Sequence, residues 1–274
     1  MLRDTLRETR IRWHQAGAFW KCIRAARRGC TMWRAHGDWQ RDGNGVCPAV
    51  KPNPLREFFD ARKEGRGIWK WNHYFDIYDS HFSRFRGTKV HVVEIGVYSG
   101  GSLEMWQSYF GPQSTIHGVD IEPVCKAYEA PAVHIHIGDQ ADRNFWRRFK
   151  QEVPTVHIVI DDGGHKSDQQ IVTLEELLPH LQPGGIYLCE DLHRLRNPFS
   201  SYVYGLAENL NASESCLLSL SDNEHRFVCE ASPSQQAIRA IHLYPYVAVI
   251  ERTAEPLTEL VAPKHGTQWQ PFLS

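Results

Sequence analysis

The 274-residue chain has no long apolar run: nowhere does it approach the roughly eighteen consecutive apolar residues that a membrane-spanning helix needs. It has no Cys-X-X-Cys pair, and its seven cysteines are an odd number scattered among apolar residues. These absences exclude a transmembrane segment and argue against a disulfide framework or a structural zinc site. The N-terminal segment also lacks the apolar core of a secretory signal, so we expect a protein of a reducing compartment, by default the cytoplasm.

An excess of either charge is absent too, because 31 Lys and Arg residues face 32 Asp and Glu residues. Nothing in this balance favours a nucleic-acid partner, and none is expected. The exception is local: residues 1–40 are rich in arginine and tryptophan, with only Asp4 and Glu8 as acids before Asp38. We predict a basic helical extension that packs on a neighbouring element or on a second subunit in a homo-oligomer. A role at a membrane surface or anionic partner, or in organelle targeting, is the alternative.

Glycine and proline concentrate in RDGNGVCPAVKPNP over residues 41–54, which is typical of an irregular linker. The sequence therefore divides into an extension and linker over 1–54 and one catalytic α/β domain over 55–274. In the second part, strand-like and helix-like patterns alternate. Strands are predicted near 90–95, 115–120, 132–137, 156–161 and 185–189, and helices near 101–110, 141–150 and 168–181. Such alternation predicts a doubly wound parallel sheet with helices on both faces.

The C-terminal part breaks this alternation. AIRAIHLY and YVAVIER are two strand-like runs separated by Pro245, and they predict an antiparallel hairpin. Dinucleotide-binding sheets usually lack such a hairpin, so its presence bears on which cofactor the sheet holds.

The stretch HVVEIGVYSGGSLEMWQSYF over residues 91–110 reads as a buried strand, a glycine turn and a helix. Its glycines Gly96, Gly100 and Gly101 permit a sharp turn close to a ligand, and Ser102 is placed to cap the helix. Asp120 ends the next strand, where a carboxylate can accept hydrogen bonds from both ribose hydroxyls of a nucleotide-like cofactor.

Two residues of this turn favour S-adenosylmethionine over NAD. Tyr98 occupies the place of the second glycine of the dinucleotide fingerprint, which lets a pyrophosphate approach. Glu94 would repel a pyrophosphate but suits the cationic sulfonium and amino groups of S-adenosylmethionine. NAD, or a turn that serves only helix packing, remains the alternative.

Polar residues also follow the third, fourth and fifth predicted strands, where ligands of parallel sheets bind. Asp139 and Gln140 can accept the exocyclic amine of adenine. The candidate cofactor-binding residues are Glu94, Gly96, Tyr98, Ser102, Asp120, Asp139, Gln140 and Asp161.

Asp162, Glu190 and Asp191 would concentrate negative charge at neighbouring strand ends, which favours a magnesium or manganese ion. Capping of the following helices is the alternative for these acids. His165 shares a loop with Asp162 and is the candidate general base, with His193 as the second choice.

Two further patterns have mainly structural interpretations. The stretch KWNHYFDIYDSHFSRF presents an aromatic helix face that favours core packing, with Lys70, His73 or Tyr74 at the cofactor or substrate mouth as the alternative. His134 and His136 share a strand face, but no third ligand is evident nearby, so packing is favoured there too.

The ordered motifs EIGVYSGGSLEMW, VDIEP, GDQAD, VIDDGGH, LQPGGIYLCEDLH and IHLYPYVAVIER resemble those of the metal-dependent O-methyltransferases that act on macrolide sugars, a family that includes cephalosporin-hydroxylase-like proteins. The resemblance covers residues 66–252. It implies a Rossmann-like, seven-stranded class I methyltransferase sheet with a C-terminal antiparallel hairpin, preceded by the N-terminal helical extension.

By this resemblance, Asp162, Glu190 and Asp191 match the magnesium ligands and His165 matches the general base. Further matches are to cofactor-binding positions: Glu94, Asp120 and Asp139. The implied activity is methyl transfer from S-adenosylmethionine to a hydroxyl of a small molecule, a sugar or glycosylated natural product. The chain departs from the family at Gly164, where serine is common, and in its short N-terminal region. A cofactor-binding accessory protein, whose basic extension recruits a partner, and an NAD-dependent oxidoreductase are the alternative functions.

Overall fold

The computed structural model describes residues 20–32, 52–193, 197–212, 216–221, 224–263 and 265. The chain divides into two compact units, 1–51 and 52–274. In the first unit the described residues 20–32 form a helix, α1, whose side chains are almost all exposed. The rest of the predicted basic extension and most of the linker lie outside the described residues. The function of residues 1–54 therefore stays a prediction.

The second unit begins with two helices and continues as alternating strands and helices. The helices are α2 (Pro54–Ala61), α3 (Tyr74–Phe82), α4 (Gly101–Phe110), α5 (Arg143–Glu152), α6 (Ser167–Leu177), α7 (Pro198–Leu210) and α8 (Pro233–Ala237). The strands are β1 (His91–Ile95), β2 (Thr115–Asp120), β3 (Val133–Ile137), β4 (Val156–Asp161), β5 (Leu181–Cys189), β6 (Cys216–Ser221), β7 (Glu224–Glu230), β8 (Ile238–Tyr244), β9 (Val247–Arg252) and β10 (Glu259–Pro263). Short 3-10 helices span Ser83–Phe85 and Pro123–Tyr128.

Seven of these strands form the main sheet in the order β3-β2-β1-β4-β5-β9-β8. Strands β1 to β5 run parallel, and β9 pairs antiparallel with both β5 and β8. The strand order reverses direction between β1 and β4, which is where open α/β sheets bind their ligands. The predicted doubly wound sheet with a C-terminal hairpin is confirmed.

The sheet separates two apolar cores, because alternate residues of a strand point to opposite faces. Val92 of β1 belongs to the core beneath α3 and α4, which contains Tyr78 and Trp106. Val93 belongs to the core beneath α5, α6 and α7, which contains Trp146. The aromatic face of α3 therefore packs into the core, as its spacing predicts.

Three features differ from the sequence-based prediction. Strand β5 begins at Leu181 rather than near residue 185, and α6 ends at Leu177, because the residues around Pro183 join the strand instead of forming a separate turn. A second antiparallel sheet, in the order β10-β7-β6, was not predicted. Cys229 is disulfide-bonded, contrary to the expectation of reduced cysteines, and the register of β6 and β7 places Cys216 opposite it.

Five histidines form a row across β3, β2, β1 and β4. They are His134, His136, His117, His91 and His157. A ring nitrogen of His117 lies 3.2 Å from one of His91, and the other lies 3.3 Å from one of His136. Within the described chain no member of this histidine row joins a cluster of metal donors, so the packing interpretation of His134 and His136 agrees with the structure.

None of the helices in the described ranges is long and apolar enough to cross a bilayer.

Candidate active site

A cavity of about 800 Å³ opens at the carboxyl ends of the central parallel strands. The segment 67–71 before α3, the glycine turn after β1 and the loops after β2, β3, β4 and β5 line it. Eleven of the thirteen sequence-predicted site residues are among its lining residues: Gly96, Tyr98, Ser102, Asp120, Asp139, Gln140, Asp162, His165, Glu190, Asp191 and His193. Residues more than ninety positions apart in the chain therefore meet in one site.

The glycine turn and Asp120 form one end of the cavity. Asp120 Oδ2 accepts hydrogen bonds from the backbone N–H groups of Val97 and Tyr98, at 2.9 and 3.1 Å. Its Oδ1 accepts one from the backbone of Glu122 at 2.9 Å. These bonds hold the carboxylate against the turn and orient it, and Oδ1 retains acceptor capacity for a ligand.

Gly96 lies where the turn meets the loop after β4. Its φ is +91°, and a Cβ atom there would lie 2.2 Å from the carbonyl oxygen of Asp162. Only glycine permits this backbone conformation at so close an approach. The turn and the metal-candidate loop are thus fixed against each other.

Glu94 lies behind the cavity wall rather than on it. Its side chain shares the strand face of Val92, so it points beneath α4, where it is fully buried. Its carboxylate accepts hydrogen bonds from Ser102 Oγ at 2.8 Å and Trp106 Nε1 at 3.0 Å. Burial raises the pKa of Glu94, and Lys70 opposes this shift. Through these two hydrogen bonds, Glu94 connects β1 to α4 on either side of the glycine turn.

Ser102 does not cap α4 as its position in the sequence suggests. The helix begins one residue earlier, at Gly101, and the N-cap is Gly100 in a left-handed conformation with φ +72° and no side-chain cap. Ser102 is therefore already inside the first turn. Its hydroxyl lines the cavity and donates to Glu94 instead.

The loop after β3 contributes two residues to the cavity. Asp139 accepts a hydrogen bond from the backbone N–H of Ala141 at 2.8 Å. Gln140 is buried, its Oε1 accepts from the backbone N–H of Gly164 at 2.7 Å, and its Nε2 donates to Asp161 at 3.1 Å. Gln140 thus positions the loop that carries His165.

Asp161 also lies behind the cavity. Its carboxylate is 1% exposed and accepts hydrogen bonds from Tyr187 Oη at 2.8 Å and from Gln140. Burial raises the pKa of Asp161, and these donors counteract the shift. The side chain holds the ends of β4 and β5 together.

Lys70 places a buried ammonium at the centre of the acidic cluster. Its Nζ donates to Asp162 and, at 2.9 Å, to Glu190 Oε2, and it lies 3.9 Å from Glu94 Oε1. Burial disfavours this ammonium, but the three carboxylates outweigh that effect and raise the pKa of Lys70. One ammonium therefore lies among three carboxylates, so the cluster has fewer positive than negative groups.

Glu190 is fully buried, and its carboxylate oxygens are engaged. Oε1 accepts a hydrogen bond from Tyr78 Oη at 2.6 Å, and Oε2 accepts from Lys70. Burial raises the pKa of Glu190, while the ammonium of Lys70 opposes the shift. Glu190 thus belongs to the ion-pair network beside the candidate metal site.

Asp191 faces the cavity from a left-handed backbone with φ +54°. Its Oδ1 accepts hydrogen bonds from Tyr74 Oη at 2.7 Å and Trp71 Nε1 at 3.2 Å. His193 Nε2 lies 3.4 Å from the same oxygen, and His165 Nε2 lies 3.9 Å from Oδ2. Both candidate bases therefore converge on Asp191.

A donor set that fits a divalent cation is present. The ligand atoms of Asp162, His165 and Asp191 all lie within 4.8 Å of one another. Two of the three predicted carboxylate ligands meet here with the predicted base, whereas Glu190 is not in this group. The two carboxylates can hold magnesium or manganese, with the remaining positions filled by water or acceptor oxygens, and the His165 imidazole lies beside them.

Lys70, Tyr74 and Tyr78 are the residues whose roles sequence reasoning largely missed. The sequence pattern indicated Lys70 and Tyr74 only as alternatives at the mouth of the cofactor or substrate site. It placed Tyr78 in the core. The available signal was the spacing of Lys70, Tyr74 and Tyr78, each four residues after the last, which can line one helical edge. The acids that they hydrogen-bond, Asp162, Glu190 and Asp191, follow more than ninety residues later, so the pairing itself was not visible.

Known families and structures agree with this fold. Residues 93–192 match a protein family described as "Methyltransferase domain". This stretch runs from β1 through β5 and includes the glycine turn and the acidic loops. Residues 93–192 therefore resemble a methyltransferase domain, which is the class that the motifs predict.

Its relatives are sugar O-methyltransferases. It is 33% identical over 207 residues to 8-demethyl-8-alpha-L-rhamnosyl tetracenomycin-C 2'-O-methyltransferase of Streptomyces olivaceus, across 71% of this chain and 54% of the relative. It is also 33% identical over 221 residues to mycinamicin VI 2''-O-methyltransferase of Micromonospora griseorubida, across 75% of this chain and 54% of the relative. The chain thus spans about half the length of these relatives.

Among solved structures, the chain is similar to the MycE methyltransferase of the mycinamycin pathway in complex with Mg and SAH. The TM-score is 0.58 at 27% identity, over 74% of this chain and 55% of that one. A second MycE structure, with TM-score 0.58, holds Mg, SAH and mycinamycin VI and is covered over 54% of its length. The predicted family resemblance and fold are confirmed.

Proposed function

We propose that this protein is an S-adenosylmethionine-dependent O-methyltransferase that uses a divalent metal, magnesium or manganese, and methylates a sugar hydroxyl of a glycosylated small molecule. The observation that carries the proposal is one cavity that is lined both by Asp120 and by the clustered side chains of Asp162, His165 and Asp191. The relatives are sugar O-methyltransferases of natural-product pathways, which supports the choice of acceptor class.

In this proposal the Asp120 carboxylate accepts the ribose hydroxyls, and Asp139 accepts the adenine amine. The glycine turn brings the backbone close to the cofactor, and exposed Tyr98 covers it from the solvent side. A cavity of about 800 Å³ is within the usual range for a ligand of this size. Glu94 and Asp161 act from behind the wall by holding the turn and the strand ends.

In this proposal Asp162 and Asp191 hold the metal. Glu190 assists because its carboxylate shares the ammonium of Lys70 with Asp162. A divalent cation bound here lowers the pKa of an acceptor hydroxyl. His165 accepts the hydroxyl proton at its imidazole, and Tyr74 and Trp71 keep the Asp191 carboxylate in place. Orientation of the acceptor oxygen toward the methyl group supplies much of the rate.

Cofactor binding is the first test. Calorimetry with S-adenosylmethionine and NAD should show binding of the former alone, and Asp120→Ala should cost about 1 to 3 kcal/mol of that affinity. Asp60→Ala, on the exposed face of α2, is the control and should bind as wild type. Binding of NAD alone would favour an oxidoreductase.

Methyl transfer is the second test. Purified protein with labelled S-adenosylmethionine is assayed on the rhamnosylated tetracenomycin precursor and on mycinamicin VI, with magnesium or with excess chelator. We expect transfer to at least one glycoside that chelator abolishes and magnesium restores. Transfer in excess chelator would reject the metal role. Tight cofactor binding without transfer to any glycoside would favour the accessory-protein alternative.

A further inference from the structure

A second cluster of metal donors lies outside the cavity, where the end of α3 meets the C-terminal hairpin. It consists of His81, His242 and Glu251. The register pairs His242 of β8 with Val249 of β9, two residues from Glu251, so the two donors are diagonal neighbours on one face of the hairpin. His81, near the end of α3, closes the cluster from the helix side.

The two imidazoles converge on one carboxylate oxygen, Oε1 of Glu251. His81 Nδ1 lies 3.0 Å from Glu251 Oε1, and His242 Nε2 lies 3.4 Å from the same atom. All three ligand atoms lie within 4.8 Å of one another. The remaining carboxylate oxygen, Oε2, faces Arg239 at 3.4 Å. The imidazoles and Oε1 thus enclose a space the size of a single ion.

His242 Nε2 is the independent sign of a ligand. The atom is buried, and among the described residues it has no hydrogen-bond partner, because its approach to Glu251 lacks hydrogen-bond geometry. The His242 side chain as a whole is 38% exposed. A buried polar atom without a partner is costly, and a bound ion would satisfy it.

The surroundings suit a metal-binding imidazole. The other ring nitrogen of His81 lies 3.0 Å from the Tyr244 hydroxyl, which can fix the ring's orientation as outer-shell partners of metal ligands do.

We propose that His81, His242 and Glu251 form a site for a transition-metal ion, such as zinc, that fastens α3 to the β8–β9 hairpin. Two imidazoles and one carboxylate are a donor set for zinc and similar ions, whereas magnesium prefers oxygen ligands. His81 follows Tyr78 by three residues on α3, and Tyr74 and Tyr78 bind the acids of the cavity. An ion at this site therefore stabilises the helix that supports the candidate active site.

Cobalt(II) is the probe, because its visible absorption reports ligand type and geometry. Metal-free full-length protein is titrated with cobalt in excess magnesium, and zinc is then added as competitor. The titration is repeated in Asp162→Asn, which disrupts the other donor cluster. We expect one equivalent of cobalt with imidazole-type absorption in both proteins, displacement by zinc, and a higher melting temperature with either ion.

Variants locate the site. His242→Ala and Glu251→Gln should each weaken cobalt binding by at least about tenfold. His134→Ala, an exposed strand histidine outside the cluster, should bind as wild type. Absence of binding in the wild-type protein overturns the proposal by itself, whatever the variants do. Binding that survives both cluster variants, or that disappears in Asp162→Asn, also overturns it.

Discussion

At the scale of single residues, Lys70 accounts for most of the electrostatics of the cavity. Its ammonium contacts Asp162 and Glu190 and lies near Glu94, all acids that follow it in the chain by more than twenty positions. The sequence predicts the acids because they end apolar strands. It does not predict their cation, since Lys70 precedes a helix that packs over the sheet from a distant part of the chain.

Tyr78 is predicted to contribute to stability through Glu190. Tyr78→Phe removes the donor to Glu190 Oε1 and leaves a fully buried carboxylate without one partner. The expected cost is about 1 to 3 kcal/mol of unfolding free energy, measured by urea denaturation with an unchanged m-value.

Tyr109→Phe is the matched control for that measurement. It also removes a hydroxyl that donates to a carboxylate, that of Asp79 at 2.7 Å. Asp79 is only partly buried, so water can replace the lost donor and the cost should be smaller. Equal losses in the two variants would contradict a special role for Glu190.

His165 is predicted to be the general base. Its backbone has φ +53°, in the left-handed region. Asparagine tolerates this conformation and is therefore the appropriate replacement. His165→Asn should slow single-turnover methyl transfer by roughly a hundredfold or more while cofactor affinity changes little. His193→Asn should have a smaller effect, and the reverse order would transfer the role to His193.

At the scale of elements, the alternation of strands and helices and the terminal hairpin were predictable because each leaves a periodic apolar pattern. The start of β5 was not. Pro183, Gly184 and Gly185 read as a turn, yet β5 continues through them beside β4, where the register shifts between Val156 and Ile158. The second sheet was also missed: β6 and β7 form a local hairpin, and β10 pairs with β7 from farther along the chain, which local patterns do not record.

Gly96 is predicted to be the least replaceable residue of the turn between β1 and α4. In Gly96→Ala the new Cβ atom would meet the Asp162 carbonyl oxygen at 2.2 Å, at a φ of +91°. Because the obstacle is backbone, we expect a loss of at least about 2 kcal/mol of stability and weaker cofactor binding. Urea denaturation and calorimetry measure these effects.

Gly205→Ala provides the opposite expectation. Gly205 lies within α7, and a Cβ atom there meets nothing within 4 Å. Alanine should therefore stabilise the protein by about 0.5 to 1 kcal/mol. If Gly96→Ala and Gly205→Ala changed stability alike, the close approach of the turn to the Asp162 loop would not be what requires glycine at position 96.

At the scale of the whole molecule, the histidine row makes stability depend on pH. Burial, assisted by neighbouring histidines, lowers the pKa of His117 to about 3. Burial also lowers the pKa values of His91, His136 and His157. In the unfolded chain these four side chains bind protons near pH 6.5, whereas in the folded chain they bind them only at lower pH. Stability is therefore fully present above about pH 6.5 and is lost as the pH falls.

The prediction concerns how steeply the free energy of unfolding decreases with falling pH below about pH 6.5. One buried neutral histidine contributes up to about 1.4 kcal/mol per pH unit inside its window, which for His117 runs from about 6.5 to about 3. His117→Gln should remove this contribution, as measured by urea denaturation between pH 7 and 5. The groups facing His117 are His91, His134 and His136, the last beside Glu152. The exposed-residue variant His134→Gln should keep most of the wild-type slope, and an unchanged slope in His117→Gln would refute the assignment.

The sheet order also constrains when the protein can become functional during synthesis. Strand β9 lies between β5 and β8, yet it is made long after β5. On a translating ribosome, the edge of β5 and the adjacent Glu190 and Asp191 would wait about three to twelve seconds for Arg252 to be made. During that interval β5 offers an unpaired edge to other chains. The strand that precedes Glu190 and Asp191 is therefore paired on both sides only when the hairpin has been made, and slow translation of this stretch should increase aggregation.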